Sequence, residues 1–94
     1  MLNQARLCCP NCGDTWLHQR QVDSYISISN DTPSDVGIHV IVAKQVKVDT
    51  DISKNPSKRR DGIRIAFECE ACGPVQPLVI YQHKGETFVE WESK

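Results

Sequence analysis

The chain has no apolar run approaching the roughly 20 residues that a membrane-crossing helix needs. It also lacks a sustained apolar stripe of helical period, so neither a bundle nor a helix-covered sheet is expected. Aromatic residues are scarce, two each of Trp, Tyr and Phe, where stacking platforms for single-stranded nucleic acid use several close together. No sign of charge dominates: 11 Lys and Arg against 12 Asp and Glu leave a net −1. That balance argues against wrapping a long duplex, which needs many unpaired basic side chains to release counterions. The three histidines, His18, His39 and His83, form no arrangement with Ser, Cys or Asp that reads as catalytic, and no catalytic residue is expected. The segment "MLNQARLCCP" has no secretory apolar core, so a cytoplasmic location, away from any membrane, is the expectation.

What is there reads as β-structure. Ninety-four residues suffice for a single domain spanning 1–94, with a core thin enough to benefit from a metal or a covalent staple. Ile38, Val40, Val42, Val46 and Val48 alternate around Lys44 and share one face of an added strand or hairpin at about 38–50. Ile63, Ile65, Phe67 and Cys69 form another alternating face, and Trp16, Val22, Ile26 and Ile28 a longer and more polar one. "LVIYQHKGETFVEWE" is a hairpin with Lys84-Gly85 as its two-residue turn. In that register Leu78, Ile80, Val89 and Trp91 share one face and Val79, Tyr81 and Phe88 the other, and the aromatic residues are expected to pack on the sheet. "NDTPSDVG" (30–37) and the basic stretch 51–62 are loops by composition. The fold expected is all-β: an antiparallel sheet of about five to six strands with little or no helix.

The cysteines carry the chemistry. Five are present, and four fall into matched motifs, "CPNCG" at 9–13 and "CEACG" at 69–73. C-x-x-C in a tight turn points two thiolates at one metal, and the following glycine permits the left-handed backbone such a turn uses. Cys9, Cys12, Cys69 and Cys72 are thus the expected ligands of one Zn2+ per chain, with iron an alternative on ligand chemistry alone. Competing readings are packed thiols without metal, and a redox pair, which normally needs a helix start that this chain does not offer. Cys8 is the spare: pairing it with Cys12 would need a longer spacing, and the simplest role for it is a small packed thiol entering the first knuckle. Four thiolates leave no open coordination position, so metal-assisted hydrolysis is disfavoured.

These paired knuckles resemble the zinc-ribbon (zinc β-ribbon) superfamily, through Cys9, Pro10, Cys12, Gly13, Cys69, Cys72 and Gly73. The resemblance implies two knuckles capping a small antiparallel sheet. The departure is the 56-residue spacer between Cys12 and Cys69, longer than in simple ribbons. A narrower resemblance links "NPSKRRDGIRI", the second knuckle and "QHKGETFVEW" to small uncharacterised zinc-ribbon proteins of bacterial phages, plasmids and integrated elements. It implies an accessory role tied to mobile DNA.

The one local charge excess runs from Asp49 to Arg64, five basic residues against three acidic. Lys54, Lys58, Arg59, Arg60 and Arg64 are candidate contacts to phosphates or an acidic partner, against the plain alternative of a solvated loop. The function expected is a non-enzymatic, zinc-binding interaction module that engages a protein or a protein–nucleic-acid machine. Direct DNA or RNA binding through 54–64 is the first alternative, and a cysteine-based redox switch or enzyme the second. Apolar groups on both hairpin faces leave a dimer open.

Overall fold

The structure, a computed structural model, describes residues 5–27, 37–57 and 60–93. The regular structure of these residues is entirely β: β1 (Leu17–Ser27), β2 (Gly37–Val42), β3 (Val46–Asp49), β4 (Gly62–Cys69), β5 (Gly73–Pro74), β6 (Leu78–His83) and β7 (Glu86–Trp91). No helix of the described residues is long and apolar enough to cross a membrane. All pairings are antiparallel, in the order β3-β2-β1-β4-β6-β7, with the short β5 also pairing β4. The first four strands follow the Greek-key order, since β4 returns by a long connection to lie beside β1. Ile28, on the expected first-strand face, lies outside the described residues.

The registers explain the alternation read from the sequence. Directly paired residues of an antiparallel ladder share a face. Val22 pairs Val42 and Ile65, Ile65 pairs Leu78, and Leu78 pairs Trp91. The separate apolar faces of the sequence therefore merge into one continuous side. It comprises Val22 and Ile26 of β1, Ile38, Val40 and Val42 of β2, and Val46 and Val48 of β3. Ile63, Ile65 and Phe67 of β4, Leu78 and Ile80 of β6, and Val89 and Trp91 of β7 complete it. A bulge in β1 between Gln19 and Gln21 keeps this phase despite the extra residue, Arg20.

The opposite side mixes charged and polar groups with Tyr25, Ile41, Val79, Tyr81 and Phe88, and it is covered in part. The segment joining β3 to β4 lies against it, held close where the sheet has no side chain: a Cβ on Gly37 would meet Ile52, and one on Gly62 would meet Pro56. Ser57 pins this segment by donating to the Gln82 carbonyl (2.8 Å) and accepting the Arg60 amide (3.0 Å). At the centre is a group that the sequence reading passed over. His39 is buried, its Nε2 2.7 Å from Asp23 and its Nδ1 2.9 Å from Asp49, and the Tyr25 ring stacks on it at 4.4 Å. Asp49 reaches the imidazole from the exposed edge strand, its carboxylate still open to solvent. Burial opposes protonation of the imidazole, but the two carboxylates outweigh it and raise its pKa above the ordinary value.

One expectation of packing is corrected: Trp16 precedes β1 and is 66% exposed, so it does not pack on the sheet. Phe88 stacks on Tyr81 with ring centroids 5.6 Å apart, and half-buried Trp91 meets Phe67 edge-on at 5.9 Å. Leu78 and Val79, buried on opposite faces of β6, give the C-terminal hairpin cover on part of each side.

A raised pKa in the folded state means that protonated His39 stabilises fully below the unfolded imidazole value, and that this contribution is lost as pH rises through the folded value. The urea midpoint difference between wild type and His39→Gln should therefore be largest below about pH 6 and shrink on alkalinisation. A pH-independent difference would contradict the charged pairing.

The expected turn is present, with φ of 51° at Lys84 and 81° at Gly85, the positive pair that a type I′ hairpin requires. Lys84 pays a backbone cost there that Asn pays less. Lys84→Asn should raise stability by about 0.5 kcal/mol, read as a higher thermal midpoint.

Candidate metal centre

Both knuckles hang from the same end of the sheet. β4 ends at Cys69, and residues 70–72 turn the chain back so that Gly73 of β5 pairs Cys69. The first knuckle precedes β1, and Leu17 at the start of that strand also pairs Cys69. A bond from the Glu70 amide to the Trp16 carbonyl (3.1 Å) ties the two turns together. Within the first, the Gly13 amide donates to the Cys9 carbonyl (2.9 Å) and the Cys9 amide to the Asp14 carbonyl (2.7 Å). Gly13 and Gly73 have φ of 82° and 81°, the left-handed conformation expected after the second cysteine of each motif.

The four thiols converge. The Sγ atoms of Cys9, Cys12, Cys69 and Cys72 all lie within 4.8 Å of one another. Cys12 and Cys69 approach to 3.6 Å, and Cys9 and Cys72 to 4.0 Å. Sulfurs about 2.3 Å from a tetrahedral zinc stand about 3.8 Å apart, so these spacings straddle that value. All are free thiols. Cys9 and Cys69 are buried against the sheet end and Cys12 and Cys72 face outward, leaving the cluster near the surface.

The electrostatics ask for a cation. Burial alone would raise the Cys9 thiol, but hydrogen bonds from the Asn11 and Cys12 amides and from the Cys12 and Cys69 thiols bring it down to about 7. Cys72 is pushed up to about 12, first by Cys12, then by burial and by Cys9 and Cys69. The Cys9 thiolate forms readily, while the Cys12 and Cys72 thiols have raised pKa values and resist sharing its space. A divalent ion bound by the four sulfurs removes that conflict, so the donor set fits a soft or borderline metal ion.

Cys8 stands apart. It is exposed, outside the cluster and not packed, because residues 5–9 form no strand that could bury it.

The basic candidates divide. The Arg64 guanidinium is half-buried and donates two bonds to Glu92, Nε to Oε2 at 2.7 Å and Nη2 to Oε1 at 2.8 Å. This pairing raises the Arg64 pKa and lowers that of Glu92. Lys54 is exposed on the β3–β4 segment. Arg60 is half-buried, and its backbone takes part in the turn through the Ser57 hydroxyl and the Asn55 side chain. Lys58 and Arg59 lie outside the described residues. His18 meets Glu70 at 3.3 Å and Arg20 meets Glu68 at 2.8 Å, both in exposed pairs of small energetic consequence. Trp16, beside Asp14, Glu70 and Ala71 at the knuckle rim, is an exposed aromatic that strand periodicity assigned to the core.

Comparison with protein-family models, with curated proteins and with solved structures gave no match. Fold and site together define an all-β protein whose four clustered cysteines can hold a metal ion.

The roles of the adjacent cysteines separate cleanly by substitution. Cys9→Ser should weaken zinc binding by about 100-fold or more, while Cys8→Ser leaves it within about threefold, in competition with a chromophoric chelator.

Proposed function

We propose that the chain is a non-enzymatic interaction module whose fold is held at one end by a structural Zn2+ on Cys9, Cys12, Cys69 and Cys72. The observation that carries this reading is the closed set of four thiols from two tied turns. Four sulfur ligands complete a tetrahedral zinc and leave no position for substrate or water, so the ion's chemistry is to bind and fix the chain. The class that fits is an elaborated zinc ribbon. Its setting, on mobile elements of bacteria, rests on the sequence resemblance alone.

The partner is a protein or a protein–nucleic-acid machine, met by the basic segment that includes Lys54, Lys58, Arg59 and Arg60. The exposed Trp16, at the other end of β4 from the basic segment, offers a separate anchor, since a solvent-facing indole on a fixed turn is common at interfaces. Arg64 is set apart from this group by its bond to Glu92.

Two measurements test the reading. Freshly purified protein should carry about one zinc per chain, and chelation should loosen the fold, because structural zinc contributes on the order of 10 kcal/mol. Less than half an equivalent of metal would overturn the site assignment. For the partner, capture from nuclease-treated extract should return a stoichiometric protein that is lost with Lys54→Glu combined with Arg59→Glu. Salt-sensitive oligonucleotide binding by the purified chain, abolished by the same pair, would instead favour direct nucleic-acid binding.

A further inference from the structure

We propose that the open apolar side of the sheet is the interface of a homodimer, in which two copies stack face to face as a β-sandwich. A sheet is stable in water when its apolar side meets a second layer. Among the described residues, the segment between β3 and β4 covers part of the opposite side, and of the Val, Ile, Leu and aromatic residues on the apolar side only Phe67 and Leu78 are buried. On that apolar side Val46, Val48 and Val89 are 68%, 64% and 60% exposed, and Ile26, Ile38 and Val42 are exposed as well. Those positions span the sheet from one edge strand to the other.

Two features favour a second copy as the occupant. The first is charge. Every Lys, Arg, Asp and Glu of β1 to β4, β6 and β7 falls on the opposite side of the ladder or at the Arg20 bulge. The polar side chains that remain on this face, such as Ser24 and Thr87, are small or neutral. Identical faces related by a two-fold axis therefore meet without like-charge repulsion, which any basic or acidic partner patch would forgo. The second is area. Six strands about 4.8 Å apart, each presenting about 20 Å of length, give a face of roughly 500 Å² per copy, so that two copies bury roughly 1,000 Å² together, the lower bound of a specific interface. Sheets stacked in this way lie about 10 Å apart with their side chains interdigitated, a spacing that β-branched residues fill well. The geometry is closed: each face is used once, so association stops at two.

Sedimentation equilibrium of the full, metal-loaded chain tests this. At about 100 μM the mass should be twice the 10.6 kDa of one chain. Val46→Lys with Val89→Lys places charge on two separated strands of the face and should raise the dissociation constant by about 100-fold or more. Both sites are solvent-facing in the single chain, and circular dichroism verifies that the variant keeps its sheet. A triple change of Val46, Val48 and Val89 to Thr keeps the β-branched shape and should weaken the dimer by about 10-fold or more. Lys47→Glu, on the same edge strand but the polar side, should leave association unchanged. A monomeric wild type at this concentration overturns the proposal, and would leave the face to a different partner. Equal weakening by Lys47→Glu and the lysine pair also overturns it, pointing to pairing along the β3 edge. So does open-ended growth beyond two copies.

Discussion

Four thiolates within 4.8 Å of one another would repel strongly without a cation, and that conflict governs how the two knuckles relate. A cation resolves it only if both knuckles are held at the same place. The sheet supplies that constraint: β1 and β4, which carry the knuckles, are direct neighbours, and Leu17 and Cys69 pair across them. The left-handed glycines turn the thiols inward, and the Glu70–Trp16 bond fixes one turn against the other. Sheet and cluster thus reinforce each other. The remaining strands extend a platform whose defining contact is the β1–β4 ladder.

The sheet has two unlike sides. One holds a small polar cluster in which Asp23, Asp49 and Tyr25 fix His39, whose pKa is raised, and Arg64 is locked to Glu92. Such groups are costly to bury unless fully paired, and no buried side-chain polar atom among the described residues lacks a partner. The other side is built of Val, Ile, Leu and aromatic residues and is left wide. The polar groups thus specify one arrangement of strands and the connecting segment, while much of the apolar side stays exposed to solvent.

Much of this was legible from residue spacing. Period-two alternation located β2, β3, β4, β6 and β7, and the paired C-x-x-C-G motifs named the four clustered thiols, because both signals are local. Less legible were features that depend on register across distant strands. Nothing local says that Val22 lies between Val42 and Ile65, so the merging of separate stripes into one side stayed hidden. His39 looked isolated because Asp23 and Asp49 reach it only after β1, β2 and β3 pair. Trp16 carried a strong strand signal but falls just before β1, where the knuckle begins and the sheet gives no cover. Cys8 was misplaced for the same reason: burial needs a neighbouring element, and composition does not show where one is missing.

The distance along the chain between the two knuckles has a consequence for how the protein is made. Cys12 and Cys69 are 57 positions apart. At synthesis rates of about 5–20 residues per second, the first knuckle waits roughly 3–11 s for its counterpart. Until then Cys9 and Cys12 offer only half of the four-thiol set. The other half arrives with the end of β4, whose pairing with β1 sets the two turns side by side. The long connection thereby makes the cluster a late product of synthesis, assembled by the same ladder that completes the centre of the sheet.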